Sequence, residues 1–265
     1  MTGEKEPREP KDILGNHVET DRFLLERSRS SPKFRGSVAP LPAAAALEWP
    51  GCPSKAIEYH GEGASIDLGR CIMCGRCQEA APEAFRMESG IPRQAKKRAE
   101  LIVATLRPGG DGGSAPSLEE VGGQLRRRVS EVLGRSLAIR EVDAGSCNGC
   151  EVEVSALDNP VYDVERFGIR FVASPRHADL LLVTGVASRN LRAALERTFE
   201  ATPDPKVVVA VGACACSGGI FGESYASGGG IGVAVPVDVF VPGCPPRPEA
   251  ILYGVLLAVD RVRAR

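Results

Sequence analysis

Lys206-Val-Val-Val-Ala-Val-Gly-Ala-Cys214 places a run of mostly valine directly before a glycine and a cysteine. A continuous apolar run of this length predicts a strand buried on both faces of a parallel sheet. Further apolar runs at 137–142, 168–174, 179–184 and 237–241 predict strands of the same sheet. Segments 189–201 and 247–263 carry apolar residues at helical spacing and predict crossover helices. We therefore expect an open, doubly wound, flavodoxin-like α/β domain over residues 137–265.

Four cysteines follow the predicted strands of this domain. Cys147 and Cys150 come after the first strand, Cys214 after the valine-rich strand and Cys244 after the last. The carboxyl ends of parallel strands meet at one edge of an open sheet, where such folds bind ligands. Four thiolates at that edge suit an iron–sulfur cluster, and a zinc site is the alternative. A thioredoxin-like Cys-x-x-Cys would leave the other two cysteines unexplained.

A second group of cysteines lies nearer the N-terminus. Cys71, Cys74 and Cys77 follow the spacing Cys-x-x-Cys-x-x-Cys, and Cys52 precedes a proline upstream. The compact motif resembles half of a bacterial ferredoxin, except that Ala81 replaces the fourth cysteine. In two-cluster ferredoxins the cysteine before proline ligates the other cluster. The resemblance thus implies that Cys52 is the fourth ligand of one [4Fe–4S] cluster, with a three-iron cluster or an empty, decayed site as alternatives.

Three motifs of the C-terminal half identify a family resemblance: Asp143-Ala-Gly-Ser-Cys-Asn-Gly-Cys-Glu-Val-Glu153, Val211-Gly-Ala-Cys-Ala215 and Val241-Pro-Gly-Cys-Pro-Pro-Arg-Pro-Glu-Ala-Ile-Leu252. They resemble the small electron-transfer subunit of membrane-bound [NiFe]-hydrogenase and formate hydrogenlyase-type complexes. The same family includes the complex I subunit that holds the terminal cluster beside the quinone site. The resemblance implies that Cys147, Cys150, Cys214 and Cys244 ligate one [4Fe–4S] cluster. Complex I subunits typically have adjacent cysteines instead of Cys147-x-x-Cys150, so the spacing favours the hydrogenase branch.

Composition limits the partners and the location. The chain has 33 basic and 34 acidic residues, so a net charge of −1 gives no reason to expect a nucleic-acid partner. No apolar run approaches the roughly 18 residues needed to span a bilayer, and the start lacks the apolar core of a signal peptide. We expect a cytoplasmic protein that contacts the inner membrane only through partner subunits.

The chain divides into four predicted regions. Residues 1–48 predict an extended or disordered arm, because they are poor in apolar residues. Residues 49–107 predict a small ferredoxin-like α+β domain. A linker and a helix at 108–136 follow, and Ser117-Leu-Glu-Glu resembles a capping box. The α/β domain occupies 137–265.

The expected function is electron transfer without a catalytic site of its own. The predicted cofactors are two [4Fe–4S] clusters, and the predicted partners are a large [NiFe]-hydrogenase-like or complex I-like subunit together with other iron–sulfur and membrane subunits. The alternatives are a complex I-like quinone oxidoreductase subunit and a zinc-stabilised scaffold. Glu151 and Glu153 either relay protons or place acidic charge in the first turn of a helix. A helix start at Cys147-x-x-Cys150 also predicts thiols with a lowered pKa, and Cys216 is expected to be a small buried apolar residue.

Overall fold

The N-terminal part of the structure consists of short strands, one short helix and 3₁₀ turns. The structure, a computed structural model, describes residues 37–46, 49–60, 63–88, 91–104 and 118–262. The elements before residue 105 are β1 (Ser37–Pro40), a 3₁₀ helix (Pro42–Ala46), β2 (Ile57–His60), β3 (Gly63–Asp67), α1 (Arg76–Ala80), β4 (Phe85–Glu88), a 3₁₀ helix (Arg98–Leu101) and β5 (Ile102–Ala104). β1 pairs antiparallel with β4, and β2, β3 and β5 form a second antiparallel sheet.

The C-terminal part alternates strands and helices. Its elements are α2 (Leu118–Leu133), β6 (Leu137–Asp143), α3 (Gly149–Ala156), β7 (Ile169–Phe171), β8 (Leu180–Thr184), α4 (Arg192–Ala201), β9 (Val207–Val211), α5 (Gly212–Ser217), β10 (Val239–Val241) and α6 (Pro248–Val262). Further 3₁₀ turns cover Val164–Phe167, Pro175–His177 and Ile231–Val233. None of the described helices is long and apolar enough to cross a membrane.

The five strands from β6 to β10 form one parallel sheet in the order β10-β9-β8-β6-β7. This is the flavodoxin-like order, and the chain reverses direction along the sheet between β6 and β8. Every residue of β8 and β9 is buried, as expected for central strands covered on both faces. The predicted α/β fold class is confirmed.

The two faces of this sheet have different covers. Leu180, Leu182 and Val209 share a core with apolar residues of α2 and α6. Alternate residues of the same strands, such as Leu181 and Val208, point to the opposite face. There they share one continuous apolar cluster with residues of α4, of α5 and of the N-terminal strands. The N-terminal strands thus pack against the parallel sheet, and the residues that the structure describes all belong to one compact unit.

Backbone bonds also join the N-terminal part to the edge of the parallel sheet. β10 is an edge strand, and Ala95 forms an antiparallel bridge with Phe240 in it. The amide of Ala95 donates to the Phe240 carbonyl at 3.2 Å, and the Phe240 amide donates back at 2.8 Å. The Gln94 side-chain amide donates to the carbonyl of Ala250 in α6. The outer edge of β10 is therefore partly covered.

Three details differ from the sequence expectations or lie beyond them. β1 falls within the stretch assigned to the arm; it forms because Val38 and Ala39 become buried when β1 pairs with β4. β7 covers only three residues of the predicted strand at 168–174, since it lies at the edge of the sheet and pairs with β6 alone. Residues 1–36, the linker 108–116 and the Ser117 cap lie outside the described residues.

Candidate functional site

The loop between β6 and α3 holds Cys147 and leads into Cys150. The Asp143 carboxylate accepts hydrogen bonds from the amides of Gly145 at 2.8 Å and Ser146 at 2.9 Å, which turns the chain after the strand. Asn148 has a φ of 69°, a left-handed conformation that asparagine tolerates better than most residues. α3 begins directly afterwards, so Cys147 precedes the helix and Cys150 lies in its first turn.

The loops after β9 and β10 bring Cys214 and Cys244 together. The amide of Ala213, at the start of α5, donates to the carbonyl of Gly243 at 2.7 Å. Each of these two residues directly precedes one of the cysteines in the sequence. This single bond therefore ties the two cysteine loops together at the carboxyl edge of the sheet.

Glycines let the backbone approach the sulfur atoms closely. Gly212 has a φ of +90°, and a Cβ at this position would lie 2.5 Å from the Cys150 Sγ. Gly219, with a φ of +52°, would bring a Cβ within 3.2 Å of the Cys214 Sγ. Side chains at either position would occupy space beside the thiols, so both glycines keep that space clear.

Burial and neighbouring groups raise the pKa of the C-terminal thiols Cys150 and Cys214. Burial raises the pKa of Cys150 most, and Glu151 and the thiols of Cys214, Cys244 and Cys147 raise it further. Burial and the Cys244 and Cys147 thiols raise the pKa of Cys214 to about 11. The lowered pKa expected from the helix start is wrong for Cys150, because burial outweighs the helix dipole. Cluster ligation at this site would therefore displace protons.

The N-terminal cysteines line one cavity. Cys52, Cys71, Cys74 and Cys77 all border it, and most of its remaining wall is apolar, including Trp49, Ile57, Ile66, Met73 and Met87. The amide of Asp67 donates to the Ala56 carbonyl at 2.8 Å, and the Cys71 amide donates to the Asp67 carbonyl at 2.9 Å. These bonds join the segment that follows Cys52 to the start of the compact motif.

Backbone amides also point at two sulfurs of this cavity. The Met73 amide donates to the Cys71 Sγ at 3.4 Å, and the Ala56 amide donates to the Cys52 Sγ at 3.3 Å. Burial raises the pKa of Cys71 to about 12, the Met73 amide lowers it, and the thiols of Cys77, Cys52 and Cys74 raise it again. Cys52 is thus electrostatically part of the same group as the compact motif.

The two cysteine groups adjoin each other. The Ser217 hydroxyl of α5 donates to the Gly69 carbonyl at 2.6 Å. The loop before Cys71 therefore contacts the helix that carries Cys214.

The part of the chain that holds the C-terminal cysteines is similar to known proteins. A family model described as NADH ubiquinone oxidoreductase, 20 Kd subunit, matches residues 147–258. The probable membrane-bound hydrogenase subunit mbhJ of Pyrococcus furiosus is 49% identical over 142 residues, which are 52% of this chain and 85% of that protein. The chain belongs to this family. The family resemblance predicted from the three C-terminal motifs is confirmed.

Two further relatives of the family are similar over a comparable stretch. Formate hydrogenlyase subunit 7 of Escherichia coli is 46% identical over 143 residues, which are 54% of this chain and 56% of that protein. A subunit of the NADH-quinone oxidoreductase of Citrifermentans bemidjiense is 48% identical over 113 residues, which are 43% of this chain and 66% of that protein. The family match begins at Cys147, so Cys52, Cys71, Cys74 and Cys77 lie outside it.

Each cysteine group offers four thiols, a donor set that a zinc ion and a [4Fe–4S] cluster both accept. Within the described ranges, no three His, Cys, Asp or Glu side chains converge closely enough for one metal ion. Thiolates in two groups of four are the ligands that [4Fe–4S] clusters take.

Glu151 and Glu153 follow Cys150 in α3, and Glu249 of α6 is buried. Glu151 lies in the first turn of α3, as predicted, and neither of its carboxylate oxygens has a hydrogen-bond partner among the described residues. The Tyr162 hydroxyl donates to the Glu249 carboxylate at 3.2 Å. Burial and Glu249 raise the pKa of Glu153. Sequence reasoning missed the Tyr162–Glu249 pair, since 87 positions separate the two residues.

The remaining cysteine is not part of either group. Cys216 is 5% exposed, and its Sγ lies 3.8 Å from the Ala210 carbonyl oxygen, to which it donates. The prediction of a small buried apolar residue is confirmed.

Proposed function

We propose that this chain is an iron–sulfur electron-transfer subunit of a membrane-associated oxidoreductase complex, without a catalytic site of its own. Cys147, Cys150, Cys214 and Cys244 would hold one [4Fe–4S] cluster, and Cys52, Cys71, Cys74 and Cys77 a second. Such clusters supply one-electron redox chemistry. The observation that carries the proposal is that four cysteines line one cavity of the N-terminal part, while four more follow strands at the carboxyl edge of the parallel sheet.

The protein's own residues would set the environment of each cluster. Amides aimed at sulfur, as at Cys52 and Cys71, stabilise negative charge on the ligand. The apolar wall of the N-terminal cavity would exclude water from the cluster. At the C-terminal group, Cys147 and Cys244 are exposed, whereas Cys150 is buried. A cluster there would lie near the surface on one side, where a partner could take its electrons.

The family relationship supports the choice of partner. The relatives include a membrane-bound hydrogenase subunit and a formate hydrogenlyase subunit. We therefore propose a large [NiFe]-hydrogenase-like subunit as the docking partner, with contact to the cytoplasmic side of the membrane through further subunits. A complex I-like role is the second candidate, because a subunit of an NADH-quinone oxidoreductase has a similar level of identity. The Cys147-x-x-Cys150 spacing favours the hydrogenase-like role.

Metal and sulfide analysis of anaerobically purified protein tests the proposal. We expect about eight irons and about eight acid-labile sulfides per chain, as two cubane clusters require. Stoichiometric zinc with negligible sulfide would contradict it and favour the structural scaffold.

Substitution of one ligand sharpens the test. Cys244→Ser should remove the C-terminal cluster and leave about four irons. The matched control is Cys216→Ala, because Cys216 is a buried cysteine outside both groups and its replacement should leave the iron content unchanged. Equal iron loss in both variants would refute the assignment of Cys244.

A further inference from the structure

We propose that Arg98 is a positioning residue that fixes the loop before Cys71 against the helix that carries Cys214, so that the two cysteine groups keep a short, constant separation for electron transfer. The proposal rests on the proposed function, since it takes both groups as cluster ligands. It goes beyond that function by naming the contact between the two cysteine groups and the side chain that holds it.

Arg98 bridges the loop before Cys71 and the helix that carries Cys214. Its Nε donates to the carbonyl of Cys216 in α5 at 3.0 Å. Its terminal nitrogen donates to the Asp67 carboxylate at 2.6 Å. A charged guanidinium that bonds a carboxylate makes a strong, directional contact. One side chain therefore joins elements that belong to different cysteine groups.

Asp67 passes this constraint on to the first cysteine of the compact motif. Its carboxylate accepts a hydrogen bond from the Gly69 amide at 3.0 Å, and its carbonyl accepts one from the Cys71 amide at 2.9 Å. The path from Arg98 to Cys71 thus runs through a single residue. On the other side, Cys216 lies in the same short helix as Cys214.

A second bond holds the same loop to α5. The Ser217 hydroxyl donates to the Gly69 carbonyl at 2.6 Å and lies 3.2 Å from the Ala213 carbonyl. A Cβ at Gly69 would lie 2.8 Å from the guanidinium carbon of Arg98, so a side chain at this position would require the Arg98 guanidinium to shift. The loop from 67 to 71 is therefore packed closely against both Arg98 and Ser217.

This packing matters because electron transfer slows steeply as the distance between two redox centres grows. With clusters bound, the two cysteine groups would pass one electron from a reduced cluster to an oxidised one. No bond forms or breaks, and no proton moves. If the loop shifted away from α5, the distance between the two cysteine groups would increase although every ligand would still be present.

Electron paramagnetic resonance of the full chain, reduced with dithionite, tests the proposal. Two reduced clusters held close together broaden each other's signals. We expect this broadening in the wild-type protein and its loss in Arg98→Gln, with iron content unchanged. The matched control is Arg70→Gln: Arg70 also pairs with Asp67, at 3.7 Å, but lies on the exposed side of the loop. The control should keep the broadening. Retained broadening in Arg98→Gln, or its loss in both variants, would overturn the proposal.

A milder variant and a second readout cover the case in which Arg98→Gln loses a cluster. Ser217→Ala removes one bond between the loop and α5 and leaves Arg98 in place. At least part of the broadening should remain, because Arg98 still joins the loop to α5; its complete loss would assign the positioning role to Ser217 and overturn the proposal. Hydrogen exchange of the peptide containing Cys71 should become faster in Arg98→Gln but not in Arg70→Gln, and equal exchange would contradict the positioning role.

The two proposals fail in different ways. If the wild-type chain holds no clusters, the proposed function fails and this inference fails with it. If the chain holds both clusters but their signals show no mutual broadening, only the inference fails.

Discussion

Gly212 offers a sharp test of how the backbone shapes the C-terminal site, and we expect Gly212→Ala to damage both stability and cluster binding. Its φ of +90° is a conformation that alanine adopts only at a cost of about 1–3 kcal/mol. The new Cβ would also lie 2.5 Å from the Cys150 Sγ. Non-bonded contacts of this kind are comfortable at about 3.5–4.0 Å, so the sulfur would have to move by roughly 1 Å. Overpacking of this type costs about 1–3 kcal/mol more.

Urea unfolding of the apoprotein, monitored by circular dichroism, measures the change in the free energy of unfolding caused by Gly212→Ala. Gly123→Ala is the matched control, because a Cβ at this position in α2 meets no described atom within 4 Å. The control should stabilise the protein by about 0.5–1 kcal/mol, as alanine favours a helix interior over glycine. In the reconstituted protein, Gly212→Ala should lose about four of about eight irons. If Gly212→Ala unfolds at the wild-type urea concentration and keeps all its iron, the role given to Gly212 is wrong.

Three other substitutions test separate parts of the site. Cys52→Ala should leave three thiolates in the N-terminal cavity and convert its cluster to a labile form that sheds one iron. An unchanged four-iron signal in electron paramagnetic resonance would mean that the fourth ligand is another residue. Glu153→Gln should stabilise the protein at pH 7, because burial and Glu249 raise the pKa of Glu153 despite Arg247, and a carboxyl with a raised folded pKa destabilises the fold when charged. The gain should shrink as the pH falls through the raised pKa, and a gain that grows toward acid pH would contradict this sign. Tyr162→Phe should lower the free energy of unfolding in urea by about 1–3 kcal/mol, because it removes the hydrogen bond that the Tyr162 hydroxyl donates to the buried carboxylate of Glu249. An unchanged free energy of unfolding would show that the bond is dispensable.

The parallel sheet was predictable because its strands are continuous apolar runs. The observed bounds of β8 and β9 each differ from the predicted ones by a single residue at the start, where Asp179 and Lys206 precede the strands. The carboxyl edge as the meeting place of Cys147, Cys150, Cys214 and Cys244 follows from the same topology. Local patterns were sufficient here, because each strand can be recognised from its own short apolar run.

Other features depend on pairings that local sequence does not show. β1 becomes a strand only through β4, more than forty positions along the chain. The contact between Arg98 and α5 joins residues 118 positions apart, and nothing in the sequence around Arg98 distinguishes it from its basic neighbours. Such contacts arise from tertiary packing rather than from propensity or motif.

The bridge between Ala95 and Phe240 bears on how this chain can be divided for experiments. A fragment beginning at residue 118 would keep the whole parallel sheet but would leave the outer edge of β10 without its partner. It would also uncover apolar side chains such as Leu181 and Val208, which share their cluster with the N-terminal strands. An unpaired strand edge beside a bare apolar face favours self-association. Such a fragment is therefore expected to aggregate, whereas variants of the intact chain should remain dispersed.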